Sequence, residues 1–85
     1  MSHDASAHAT RSGDEKLAYM ANQIATFFEA MPRDEAVDGI ADHINKFWEP
    51  RMRRHLFALI EAGGAGLRPQ VVEAAAQIRR PAPAG

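Results

Sequence analysis

Three prolines, Pro32, Pro50 and Pro69, each stand at the head of a segment whose apolar residues recur with helical spacing, and Pro81 follows the last of them. Proline lacks a backbone N–H and pushes the residue before it out of helical geometry, so each one ends a helix. Its fixed φ suits the first turn of the next. The chain is thereby constrained to short helices joined by abrupt corners. No stretch alternates with the period of a strand and no internal repeat occurs, so the expected fold is all-α, a small bundle of three to four short helices.

The first helix is expected from about Gly13 to Met31, opened by the capping-box spacing of Ser12 and Glu15. Leu17, Met20, Ala21, Ile24, Phe27, Phe28 and Met31 share one stripe of it, with Tyr19, Gln23, Thr26 and Glu29 away from that stripe. The second opens at Pro32, with Asp34 and Glu35 suited to the positive end of the helix dipole. Ala36, Val37, Ile40, Ala41, Ile44, Phe47 and Trp48 form its buried face, while Asp38, Asp42 and Asn45 point outward. Gly39 is its weak position, and close packing is the expected use. The third runs from about Pro50 to Ala62, ends at Gly63-Gly64, and carries Met52, Leu56, Leu59 and Ile60 on its core side. A short last helix starts at Pro69, with Val71, Val72, Ala75 and Ile78 on one face, and ends at Arg79-Arg80-Pro81.

Length leaves room for one small domain, expected over residues 13–79, between a disordered leader (1–12) and a disordered tail (80–85) that lack large apolar side chains. A lone core of that size supplies only ~3–5 kcal/mol, which makes a stabilising partner a reasonable expectation. With no cysteine in the 85 residues, disulfides, thiolate metal sites, cysteine-ligated clusters and cysteine nucleophiles are all excluded. No apolar run approaches a membrane span and no secretory leader is seen, so the cytoplasm is the expected location. The net charge of −1 removes the global field of a dedicated nucleic-acid binder.

The histidines give no metal motif. His3 and His8 lie in the leader, and His43 and His55 sit on different helices without a second ligand three or four residues away. Each of the latter two is expected at the edge of an apolar stripe. The serines are confined to the leader, the carboxylates are spread over outward faces, and so small a bundle is expected to shelter no pocket of even ~300 Å³. The chain is read as no enzyme in its own right, with no catalytic, cofactor-binding or metal-binding residues. Gly63, Gly64 and Gly66 lack the strand and lysine of a phosphate cradle and read as cap and turn.

What remains is the stretch HINKFWEPRMRRHL, which crowds Phe47 and Trp48 against Pro50 and then sets Arg51, Arg53 and Arg54 in four positions. With Lys46 these could meet phosphates, and a small nucleic-acid-binding helical module is one alternative. Against it, cations at a helix start oppose the dipole, and no asparagine or glutamine is offered to base edges. Arginine beside an exposed aromatic is a composition of protein interfaces. Phe47 and Trp48 read first as core. Adjacent helical residues diverge by 100°, however, as do Phe27 and Phe28, and a thin domain buries both members of both pairs only with help. Phe27, Trp48 and Phe57, with Arg51, Arg53 and Arg54, are therefore the expected partner-binding residues.

Three strings, KLAYMANQIATFF (Lys16 to Phe28), GIADHINKFWEPRMRRHL (Gly39 to Leu56) and AGGAGLRPQVVEAA (Ala62 to Ala75), resemble the small δ subunit of cytoplasmic NAD-dependent, molybdenum- or tungsten-containing formate dehydrogenases. The resemblance covers nearly all of the expected folded part. It implies an accessory subunit of a complex that oxidises formate to carbon dioxide and passes the electrons to NAD. The pterin-bound metal and most iron–sulfur clusters would belong to the large α subunit, FMN and the NAD site to β, and a further cluster to γ. This chain would bind none of these groups. It would associate with α and support assembly or stability, or act as a transient chaperone for cofactor insertion.

Overall fold

The computed structural model describes the backbone of residues 3–81 and the side chains from Gly13 onward. Four α-helices follow in order among these residues: α1 His3–Phe28, α2 Arg33–Phe47, α3 Pro50–Glu61 and α4 Pro69–Ala74, the last running into a 3₁₀ turn, Ala75–Gln77. There is no strand among the described residues, so the fold is all-α. The corners fall at the prolines. Pro32 is the N-cap of α2 and its carbonyl accepts from the Ala36 N–H, while Pro50 and Pro69 occupy the first turns of α3 and α4.

α1 differs from expectation at both ends. Helical backbone already runs through Ser12, so the Ser12–Glu15 pair does not start the helix; the alanines at 5, 7 and 9 are the strongest helix formers available there. The expected disordered leader and tail fall largely on residues whose side chains lie outside those described. At the other end α1 stops at Phe28. The bonds Glu29 N–H to Thr26 O and Met31 N–H to Phe28 O span three residues, tightening the chain so that it reverses before Pro32.

The reversal makes α1 and α2 an antiparallel pair. α2 is central, packed by α1 on one side and α4 on another, and α3 turns away after Pro50 to lie on α1. The core is Leu17, Ala21 and Ala25 from α1, Val37, Ile40, Ala41 and Ile44 from α2, then Trp48, Leu56, Phe57, Val71, Ala74 and Ile78. Among the largest fully buried side chains are only Ile40, Ile44, Leu56 and Val71, so much of the interior is alanine. Burying one such large side chain stabilises by about 1.5–3 kcal/mol, which keeps the core modest.

Gly39 has the packing role expected of it. A Cβ built there would come within 2.5 Å of the Phe28 ring, so the absence of a side chain is what lets α1 and α2 close on each other. α3 ends in a Schellman cap: the Gly64 N–H donates to Leu59 O and the Gly63 N–H to Ile60 O, with Gly63 at φ +119°. Gly66, at φ +85°, completes the turn into Pro69.

Candidate partner-docking surface

The apolar stripe of α1 is wider than the bundle that covers it. Leu17, Ala21 and Ala25 are buried, but Met20 is 37% exposed and Phe27 79%. At 100° per residue, Lys16, Met20, Gln23, Ile24 and Phe27 share an arc of about 100° that borders the buried one. Met31, in the turn beyond the helix, is also exposed. Phe28, one residue from Phe27, goes inward to Gly39, and the two rings meet edge to face with centroids 5.1 Å apart.

α2 forms a second wall. Phe28 lies against Gly39, and Ile24 and His43 line one groove together, so the antiparallel register brings Met20 level with Phe47. Phe47 is 69% exposed. Its ring packs against that of His43, one helical turn earlier, with centroids 4.8 Å apart and the planes tilted by 43°. Gln23, Ile24, Phe27, Phe28 and His43 enclose a groove of about 370 Å³, and its lining is mainly apolar. This face carries Met20, Phe27 and Phe47 in water, whereas the other exposed large apolar side chains, Tyr19 on α1, Met31 in the turn after it and Val72 on α4, are scattered. An uncovered apolar patch of this kind marks an interaction site more often than chance exposure does.

The structure redistributes the six residues expected to bind a partner. Phe27 is exposed, as expected. Trp48 and Phe57 are not: each is 6% exposed, so the expected surplus of aromatic surface at the α2–α3 elbow is corrected. The backbone turns extended at Trp48 (ψ 131°), which swings its ring inward beneath the corner. Phe57 is buried because the chain after the 3₁₀ turn folds back over it. Ile78 enters the core, and the Arg80 guanidinium lies 4.1 Å from the centre of the Phe57 ring while pairing with Glu61. Phe47, expected in the core, takes the exposed place instead. It lies within the buried arc of α2 by angle, but at the last residue of the helix, beyond the reach of the elements that cover Ile40 and Ile44.

The arginines also separate. Arg51 and Arg54 are exposed and no carboxylate among the described residues pairs with them. Arg53 is half-buried, donating to Trp48 O at 3.3 Å and Arg79 O at 2.6 Å. It ties the α2–α3 corner to the C-terminal segment and is spent inside the molecule.

Two asparagines hold the loops: Asn22, which sequence reasoning passed over, and Asn45, which it read only as pointing outward. Asn22 Nδ2 donates to Gly66 O at 2.8 Å while its Oδ1 accepts from the Arg68 N–H at 2.9 Å, so one amide clamps the glycine turn to α1. Arg68 then reaches Thr26 Oγ1 and Glu29. Asn45 does the same for the C-terminal segment, donating to Gln77 O at 3.0 Å and accepting from the Arg79 N–H at 2.8 Å. The signal was available: asparagine is a poor residue for a helix interior, and its place there is explained when its side chain is bound elsewhere.

His55 Nε2 lies 2.7 Å from Asp14 Oδ1, an ion pair when the ring is protonated, and His43 is taken up by Phe47. No group of three or more histidine or acidic side chains among the described residues is arranged to hold a metal ion. The expectation that no hollow of ~300 Å³ exists is corrected by the aromatic groove and by a polar hollow of about 480 Å³, lined by Asp38, Gly39, Ala41, Asp42, Asn45 and Gln77. Both are open grooves, the first between α1 and α2 and the second between α2 and the 3₁₀ turn. No helix among the described residues is long and apolar enough to cross a membrane.

Neither curated proteins nor solved structures yield a match to this chain. One family model does match, over residues 16–75. That span starts at Lys16 on the exposed arc of α1 and ends just past Ala74, so it takes in the aromatic groove, the proline corners and the Asn22 clamp. With a match over most of its length, the chain belongs to the family described as NADH-dependant formate dehydrogenase delta subunit, FdsD.

Proposed function

We propose that this chain is a non-catalytic accessory subunit that docks on the large, molybdenum-containing α subunit of an NAD-linked formate dehydrogenase, within a complex that also holds β and γ subunits, and supports its assembly or stability. The observation that carries the reading is the aromatic face of the α1–α2 pair. Phe27 and Phe47 stand in water on a bundle that manages to bury Trp48 and Phe57, so their exposure is not for lack of interior design. Aromatic side chains are among the residues that dominate binding energy when a partner desolvates them.

Support for a non-catalytic role comes from the fate of the polar groups. His55 is joined to Asp14, His43 lies on Phe47, and Asn22, Asn45 and Arg53 are occupied in holding loops. The pterin metal, iron–sulfur clusters, FMN and NAD are assigned in this reading to the other subunits.

The test is purification of the complex through a tag on the large subunit. The chain should appear in fixed ratio with mature, metal-loaded enzyme, and the double variant Phe27→Ala, Phe47→Ala should be lost from it. A chain found only with metal-free large subunit would identify a transient chaperone instead. Retention of the double variant at the parental level would refute the docking face.

A further inference from the structure

We propose that what seats on the aromatic face is an α-helix of the large subunit, lying along α1 with apolar residues three and four apart and with an acidic side chain opposite Lys16. The inference rests on the docking reading above and adds the form and charge of the partner.

The first argument is spacing. Met20, Ile24 and Phe27 follow one another along α1 at intervals of four and three. That is the interval at which one helix presents a continuous seam to another. A strand or an irregular loop has no reason to match it, because successive residues of a strand point to opposite sides. The groove beside the seam supplies the complementary hole: Ile24, Phe28 and His43 form its floor and walls, Phe27 its outer edge. Phe47, packed against His43, extends the second wall toward Met20.

The second argument is charge. The exposed arc of α1 holds no carboxylate, and its one charged residue, Lys16, has no carboxylate partner among the described residues. Arg33, Lys46, Arg68 and Arg80 are each paired, and the exposed Arg51 and Arg54, which have no carboxylate partner among the described residues, lie on α3 and not on this arc. An acid on the incoming helix would give Lys16 a partner.

The third argument is area, which separates a larger partner from a second copy of this chain. The uncovered side chains of the face expose on the order of 500 Å², less than the ~800 Å² per partner of a standard stable interface. Two copies meeting through this face alone would hold weakly. A subunit that offers a helix here and further contacts around it is not so limited.

The experiment places the photo-crosslinking residue p-benzoylphenylalanine at position 27 of the chain in the purified complex and maps the product by mass spectrometry. Alongside it, retention is measured for Met20→Glu, Lys16→Glu and, as a control away from the face, Val72→Glu, each checked for helix content by circular dichroism. The expected result is a crosslink to one segment of the large subunit with apolar residues at intervals of three and four. Retention should fall at least fivefold for Met20→Glu and Lys16→Glu, with no change for Val72→Glu. A crosslink to a segment of the large subunit without that pattern, or full retention of the Met20 and Lys16 variants, would overturn the helix while leaving docking intact, whereas a crosslink to a second copy of this chain would overturn both. A parental chain absent from the purified complex would overturn the docking reading itself.

Discussion

Asn22 shows how much one side chain can hold in a bundle this small. Its amide makes two hydrogen bonds to loop backbone, at 2.8 and 2.9 Å, and so fixes the turn that carries Gly63, Gly64 and Gly66 back to α1. Removing one partner of a loop-closing pair costs about 1–3 kcal/mol. We therefore expect Asn22→Ala to lower stability by about 1–2 kcal/mol in urea unfolding, and Asn22→Asp, which keeps the acceptor and loses the donor, to fall between it and the parent. An Asn22→Ala variant as stable as the parent would show that the clamp is ornamental. At this scale the sequence was legible where a side chain is apolar and mid-helix: Leu17, Ile40, Ile44 and Leu56 are buried as their spacing required. It was least legible for residues whose surroundings are set by a distant segment. Phe57 is covered through Ile78 and Arg80, which does not follow from a wheel drawn on one helix.

Among the elements, the α1–α2 pair is the one on which the rest depends. Gly39 lets the two helices meet over Phe28, and the cost of adding a methyl there is a contest between two effects. Alanine would improve helix propensity by about 1 kcal/mol, while overpacking against a ring held in place typically costs 1–3 kcal/mol. With three ring atoms within 3 Å of the new Cβ and the Phe27 edge behind the ring, the second effect should win. Gly39→Ala is expected to lower the thermal midpoint, and adding Phe28→Leu should recover part of the loss; a midpoint raised by Gly39→Ala alone would show that the ring moves freely. The proline corners and the glycine cap were legible because they act locally, through φ and through a missing N–H. The start of α1 was not, since a capping-box spacing also occurs inside helices and only says where one could begin.

For the molecule as a whole, the ledger of large buried side chains is short, with Ile40, Ile44, Leu56 and Val71 inside and much of the remaining interior supplied by alanine. A core of this kind leaves a small domain with only a few kcal/mol, on the order of 3–5. Binding to the native state alone adds stability in proportion to the logarithm of partner concentration over Kd. The isolated chain should thus unfold at low urea, with a midpoint that rises in the assembled complex; an isolated chain as resistant as the complex would remove the energetic reason for a partner. The candidate face itself was half legible. Phe27 was marked by its neighbour Phe28, but Phe47 was assigned to the core because angle alone does not say where a covering helix ends.

The most direct measurement is hydroxyl-radical footprinting of the rings in the free chain and in the purified formate dehydrogenase complex. Phe27 and Phe47 should label strongly in the free chain and be protected in the complex, with Val72 labelled alike in both. Equal labelling of Phe27 and Phe47 in the two states would mean that no subunit covers the aromatic face.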